Sequence, residues 1–232
     1  MRRFIRNSHK YVSLAVSIQL LLWTISGLYF AFNKIQEVRG EHVMTRGVFG
    51  ANVGDFAVDV SDAKSIRIVS RLNTPILILS TATETLYLDR SGEPLEQLSS
   101  DEAKAVITSQ TRLRPLTTET VTAVEPGDEF RGRPLPLYRV ISEDQDGTSF
   151  NVYVNPFSGE VTAIRSTRWR IWDFMWGLHI MDWQERDNID NLPMKLFSVL
   201  ALISAISGIW LFFATWKTHQ RTDRSPPHPA LT

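Results

Sequence analysis

Two histidines are the side chains in this sequence best placed to hold a cofactor. His9 stands at the start of one long apolar stretch, and His179 stands a short distance before another. Imidazole nitrogens serve as axial ligands of b-type haem, and two histidines at one depth on antiparallel helices can share one iron. His9 and His179 are therefore the candidate haem ligands, with their pairing left open. Neither stretch has a histidine deep inside it, which weighs against the role.

A stripe of aromatic side chains accompanies His179. At 100° per residue, five positions fall within an arc of roughly 80° on one helix face: Trp169, Trp172, Trp176, His179 and Trp183. Tryptophan is enriched at membrane–water interfaces, so the first interpretation is an interfacial helix from Ser166 to Trp183. Its Trp face would lie among headgroups or against the first apolar stretch. The second interpretation makes Trp172 and Trp176 the wall of a cofactor pocket.

Other chemistry is excluded or finds no support. The chain has no cysteine, which rules out disulfides, thiolate catalysis, Cys-ligated zinc, iron–sulfur clusters and covalently attached haem. Four carboxylates follow the Trp stripe, but their spacing matches no metal-binding loop, and a solvated linker is predicted: Asp182, Glu185, Asp187 and Asp190. No nucleophile–base arrangement, phosphate loop or zinc motif occurs. The sequence favours a binding protein and leaves enzymatic activity open.

Two apolar stretches must position these groups. Tyr11–Phe32 and Leu196–Trp216 contain no Asp, Glu, Lys or Arg, and each can cross a ~30 Å hydrocarbon core as a helix. The first is too long for a signal-peptide core and lacks a small-x-small cleavage site. Both outer flanks are short and basic, which predicts cytoplasmic termini and a periplasmic central segment in a bacterial inner membrane.

Small residues recur within both stretches. Gly27 and Ala31 lie one turn apart in the first, and Ala201, Ala205 and Gly208 share a face of the second. Small residues let helix backbones approach closely in lipid. The two helices are therefore predicted to pair with each other or, as a homodimer, with a second copy.

The segment between the stretches predicts an α+β domain, in which one helix packs on an antiparallel meander. A helix is expected to begin near Ser99 and continue to about Thr111. Alternation and turn signals predict these strands: Ser65–Leu72, Pro75–Leu79, Thr83–Leu88, Thr120–Val124, Leu137–Ser142, Phe150–Asn155 and Val161–Ile164.

Two strand–turn phrases in this segment echo one another. Leu86–Glu93 and Val152–Glu160 each combine an alternating strand, an Asx residue and a turn glycine. The second reads Val-Tyr-Val-Asn-Pro-Phe-Ser-Gly-Glu, and with the preceding helix and strands it resembles the PepSY domain over about Ser100–Ile164. A degenerate half copy covers Asp59–Leu98.

The flanking phrases extend this resemblance. Ser8-His9-Lys10, Leu22-Trp23-Thr24-Ile25-Ser26-Gly27 and Gly177-Leu178-His179 are similar to those of PepSY-associated transmembrane proteins. The resemblance implies a helix packed across a small sheet, on the outer face of the inner membrane. The family includes protease propeptide-like modules, proposed peptidase inhibitors and larger proteins of iron and siderophore reduction, some with haem b held by membrane histidines. Two spans are fewer than those reductases have.

These patterns lead to one expected organisation and three functional hypotheses. The expected segments are a cytoplasmic start (1–10), a span (11–33), a linker (34–58), the PepSY-like domain (59–165, with halves 59–98 and 100–164), an interfacial helix and acidic linker (166–194), a second span (195–216) and a disordered cytoplasmic tail (217–232). The first hypothesis is a periplasmic binding or regulatory module for a peptide, protease or membrane partner. The others are a haem b electron-transfer accessory and a structural subunit of a membrane complex. The net charge of +0 gives no reason to expect nucleic acid.

Overall fold

The computed structural model describes residues 2–45, 54–58 and 61–222. The chain divides into two compact units, one formed by Met1–Tyr29 with Met175–Thr232 and the other by Phe30–Phe174. The helices are α1 (Arg2–Phe32), α2 (Ile35–Val38), α3 (Ser100–Gln110), α4 (Thr167–Ile180) and α5 (Leu192–Thr222), with a 3-10 turn at Glu41–Val43. The strands are β1 (Ser65–Arg71), β2 (Thr74–Ser80), β3 (Thr85–Leu88), β4 (Arg114–Val121), β5 (Leu137–Glu143), β6 (Ser149–Val154) and β7 (Val161–Ser166).

The first unit is helical. By length and composition, Ser13–Phe32 of α1 is apolar enough to cross a membrane, and it is the one helix among the described residues that meets this criterion. In α5 the apolar part within the described residues is Leu192–Ile206. A Cβ added to Gly27 or Gly208 would meet no described atom within 4 Å. Neither glycine makes a close helix–helix contact in the described part of the chain, and pairing with a second copy stays a prediction.

The second unit is α+β with antiparallel sheets, as the alternation predicted. Helix α3 begins at Ser99, whose hydroxyl accepts a hydrogen bond from the backbone N–H of Glu102, while the Glu102 carboxylate accepts one from the Ser99 N–H. This reciprocal cap satisfies two backbone donors that a helix start leaves open. Val106 and Ile107 are fully buried, so this face of α3 packs into the core of the second unit.

Helix α3 covers one face of a four-stranded sheet with the order β4-β5-β6-β7. Val140 and Val152, paired across β5 and β6, point into the core beneath α3. On the opposite face, Tyr153 packs with Phe130 from the loop before β5, with ring centroids 5.5 Å apart. The sheet therefore has a helix on one face and an irregular loop on the other.

Strand β4 differs from its sequence prediction. It runs over Arg114–Val121 rather than Thr120–Val124. Pro115 lies within the strand, because β4 is an edge strand, where a residue without an N–H is tolerated.

The second sheet has the order β1-β2-β3 and encloses a small core of Leu77, Leu79 and Leu88. The turn after β6 carries the Asn-Pro-Phe-Ser-Gly-Glu sequence. Its Asn155 side chain accepts hydrogen bonds from the N–H groups of Phe157 and Ser158. This is the Asx-turn chemistry that the sequence indicated.

Candidate functional site

A cleft of about 500 Å³ opens on the sheet face opposite α3. Its floor comes from Arg139 on β5 and from Asn151 and Tyr153 on β6, which alternate with the core residues of the same strands. One side is the end of β4 and the residues after it, and the other is the loop that carries Glu129. Alternation along β5 and β6 thus places polar groups in the cleft and apolar groups in the core.

Glu129 is held by hydrogen bonds at the side of the cleft. Its carboxylate accepts from Asn151 Nδ2 at 2.8 Å, from the Tyr153 hydroxyl at 3.3 Å and from Arg170 Nε at 2.5 Å. Burial acts to raise the pKa of Glu129, but the bonds from Arg170 and Asn151 and the charge of Arg170 together lower it. The group is an ionised acceptor at neutral pH.

Tyr153 stays protonated beside this carboxylate. Burial, followed by the negative charge of Glu129, raises the pKa of Tyr153 to about 12. Arg139 donates to Glu119 from Nε at 2.9 Å across the β4–β5 pair. The cleft therefore presents fixed donors and acceptors in settled protonation states, which suits binding better than proton transfer.

A buried cation–π cluster fixes the loop that carries Glu129. The guanidinium of Arg165 lies 4.4 Å from the Trp169 ring centroid, and its Nε donates to the Glu129 carbonyl at 2.8 Å. Arg131 forms an ion pair with Asp173, whose side chain is 1% exposed. Burial, and then repulsion from Arg133, lowers the pKa of Arg165 to about 10, so it remains a cation at neutral pH. Trp169 belongs to this cluster within the second unit, where it is 8% exposed.

His179, the second candidate ligand, lies in the first unit against α1. Its Nδ1 is 2.8 Å from the Ser26 hydroxyl. Its ring stacks on Trp176 at an interplanar angle of 11° and contacts Trp23 at a centroid distance of 6.3 Å. Of the two placements expected for the Trp face, the contact with the first apolar helix is the one that His179 makes.

The tautomer of His179 depends on the hydrogen bonds of Ser26. The Ser26 hydroxyl donates to the Leu22 carbonyl at 2.8 Å, one helical turn earlier. When this proton stays on a helix carbonyl, Nδ1 of the neutral His179 ring donates to Ser26 and Nε2 carries the lone pair, the form in which histidine ligates a metal. When the proton turns to Nδ1, the tautomer is the opposite one.

The end of α4 is fully capped. Each of its last four carbonyl groups accepts one hydrogen bond. The Asp182 N–H donates to Gly177 at 3.1 Å, and the Gln19 side chain donates to Leu178 at 3.5 Å. The side chains of Trp23 and Asn191 donate to His179 at 2.7 Å and to Ile180 at 2.8 Å. Such carbonyls have no partner within a helix, and leaving them unsatisfied away from water is costly. The α4 terminus can therefore lie against α1 without contact with water.

The structure does not bring His9 and His179 together. Ser26, the partner of His179, stands about 25 Å along α1 from His9, at ~1.5 Å per residue of one continuous helix. The two nitrogen atoms that ligate one iron axially would lie within about 5 Å of each other. The side chain of His9 lies outside the described residues, as do the side chain of His219 and all of His228. His42 is near Phe150 in the second unit.

Two further parts of the Trp and acidic stretch are now placed. Trp172 contacts Phe30 with centroids 5.2 Å apart. The predicted helix to Trp183 was too long, because α4 ends at Ile180, where Met181 adopts a left-handed φ of 57°. Asp182 accepts backbone N–H groups of Glu185, Asp187 and Asn188. No cluster of metal-ligating residues occurs among the described residues.

Comparison of the chain with protein-family models, curated proteins and solved structures gave no match. The sequence did not lead us to predict the residues of the cleft. Their signal was a polar residue at alternate positions of β5 and β6, namely Arg139 and Asn151, on strands whose other face is apolar.

Proposed function

We propose that this chain is a membrane-anchored binding module, whose second unit captures a peptide or a segment of a partner protein outside a bacterial inner membrane. The cleft beside β4 carries this proposal. It is large enough for several side chains, at about 500 Å³, and its lining includes the guanidinium of Arg139, the hydroxyl of Tyr153 and the carboxylate of Glu129. Groups with settled protonation states and an open shape favour recognition over catalysis.

The fold is consistent with the PepSY resemblance. The resemblance implies a helix packed across a small antiparallel sheet, and α3 on β4–β7 has such an arrangement. The turn residues Asn155–Glu160 make hydrogen bonds that hold neighbouring segments of the second unit. The N–H of Leu98 donates to the carbonyl of Pro156, and the side chain of Gln110 donates to that of Gly159. A binding or regulatory role on a peptide or protease accords with the family.

A screen of displayed random peptides against the full chain in lipid nanodiscs tests this function. Binding peptides should be enriched on the natural chain and on a Thr148→Trp variant, which alters the exposed β5–β6 hairpin. They should not be enriched on Thr122→Trp, which places a bulky side chain on the cleft rim. Equal enrichment on both variants, or none on the natural chain, would overturn the proposal.

The anchors are proposed to be α1 and α5. The apolar window Ser13–Phe32 supports the first span, and the length of α5 with its apolar described part supports the second. The basic flanks favour cytoplasmic termini. The second unit would then be periplasmic.

Because the chain lacks cysteine, single introduced cysteines report this topology without background. In intact spheroplasts an impermeant maleimide should label Asp146→Cys in the β5–β6 hairpin. Thr222→Cys at the end of α5 should react only after lysis. Labelling of Thr222→Cys in intact spheroplasts would contradict the two-span arrangement.

A second candidate function is a haem b electron-transfer accessory. The observation that favours it is the His179 ring, whose Nδ1 lies 2.8 Å from the Ser26 hydroxyl and whose plane stacks on Trp176. The residues present suit one axial ligand, and His9 cannot supply the other on the same iron. After expression with ample haem, the detergent-purified chain should show a Soret band that His179→Ala removes and His42→Ala retains. A chain without this band does not have the function.

A further inference from the structure

The outer edge of β4 is open over only half of its length. Strand β4 is the first strand of its sheet, so its outer backbone groups have no strand partner among the described residues. The first half is protected by Pro115 and by a bulge between Pro115 and Thr117. Both features hinder pairing with an added strand. Thr117–Val121 has neither, and this half borders the cleft.

An added strand would place its side chains over the cleft. Successive side chains of a strand alternate between the two faces, and neighbouring strands keep the same alternation. Glu119 and Val121 point to the cleft face of β4, because their partners Arg139 and Leu137 lie opposite α3. Every second side chain of a segment paired with Thr117–Val121 would therefore lie on the cleft face of the sheet, beside Glu119 and Val121.

The lining of the cleft has an excess of negative charge. Its charged groups are four carboxylates and one cation, namely Glu119, Glu125, Asp128, Glu129 and Arg139. Two of the carboxylates have cationic partners, since Glu119 is bonded to Arg139 and Glu129 to Arg170. Asp128 accepts the backbone N–H of Glu125. The carboxylates of Glu125 and Asp128 leave the rim anionic, which complements a cation.

We propose that the cleft binds an extended peptide segment that pairs with Thr117–Val121 of β4 and inserts a lysine or arginine side chain among Glu119, Glu125 and Asp128. The proposal rests on the proposed binding function and names its ligand class. Main-chain hydrogen bonds along the edge supply affinity, and the charged pocket supplies specificity, as in other cases of strand addition. Anionic segments and anionic headgroups are disfavoured by the same charges.

The test uses the full chain in nanodiscs and fluorescent peptides of alternating threonine and valine with one variable central residue. The peptide with a central lysine should bind about tenfold more tightly than those with norleucine or glutamate, and added salt should weaken it. Glu125→Lys should weaken the lysine peptide about three- to tenfold and leave the norleucine peptide unchanged. The matched charge change Asp146→Lys, in the exposed β5–β6 hairpin, should have no such effect.

The outcomes distinguish an error in the proposed ligand class from an error in the proposed binding function. A lysine peptide with methylated amides on alternate residues should lose binding, because it cannot donate to the β4 edge. If the methylated peptide binds equally well, strand pairing is wrong. If norleucine replaces lysine without loss of affinity, the anionic pocket for a cationic side chain is wrong, while the binding function stands. If no peptide binds, here or in the displayed library, both proposals fall.

Discussion

Replacing Asp173 with alanine should lower the free energy of unfolding by about 3–5 kcal/mol, because it breaks a buried ion pair from one side. The Asp173 side chain is 1% exposed and is paired with Arg131, whose side chain is 19% exposed. Arg131 and Arg165 both lie over Trp169. Removal of the carboxylate leaves two neighbouring cations with less compensating charge in a poorly solvated cluster. Urea unfolding of the full chain in mild detergent measures the loss.

Two controls separate burial from charge. Asp101→Ala removes a carboxylate that is 93% exposed and paired with Lys104, and it should cost less than about 0.5 kcal/mol. Replacement of both partners, Arg131→Met with Asp173→Leu, should recover much of the loss, since an apolar pair has no desolvation penalty. A loss below about 1 kcal/mol for Asp173→Ala would mean that water or another cation already neutralises the pair.

Replacing Gly40 with alanine should cost about 2–5 kcal/mol, from backbone strain and a steric overlap. Gly40 has a φ of 75°, a conformation that an L side chain rarely adopts. A Cβ there would lie 2.6 Å from Cγ2 of Ile164, a buried β7 residue in the core. The overlap falls on a packed side chain that cannot move freely.

Gly147→Ala is the matched control for this change. Gly147 has a φ of 79°, but a Cβ there meets nothing within 4 Å, so only the backbone strain of about 1–2 kcal/mol is expected. The difference between the two alanine variants measures the overlap. In a double-mutant cycle, Ile164→Ala should partly relieve Gly40→Ala. Equal losses of unfolding free energy for Gly40→Ala and Gly147→Ala would show that Ile164 on β7 moves aside without a free-energy cost.

The features that the sequence predicted are local ones. The start of α3 was foreseen because Ser99 and Glu102 cap it within one helical turn. The β5–β6 hairpin was foreseen because the Asp144 side chain binds its own turn. Alternation along β5–β7 was sufficient to assign the α+β class, since each strand has one apolar face.

The cleft could not be predicted because it depends on tertiary contacts. It exists because Phe130 brings its loop onto the second face of the sheet, where Tyr153 lies. Nothing in the spacing of Glu119, Glu129 and Tyr153 indicates that they meet. The prediction that Trp169 and Trp183 share one helix face was wrong for a related reason. Periodicity assigned Trp169 and Trp183 to one face, but Trp169 is enclosed by arginines and Trp183 lies beyond the end of α4.

The capped terminus of α4 has a consequence for biosynthesis. Gln19 and Trp23 of α1 donate to carbonyls that belong to Leu178 and His179. Those carbonyls are made roughly 150 residues later, which at about 5–20 residues per second is a delay of roughly 10–30 s. A first helix that enters the bilayer as it is synthesised would hold a glutamine amide without its final partner for that time. Retention of α1 at the insertion machinery until α4 emerges would avoid this cost, so the two ends of the chain would enter their final environment together.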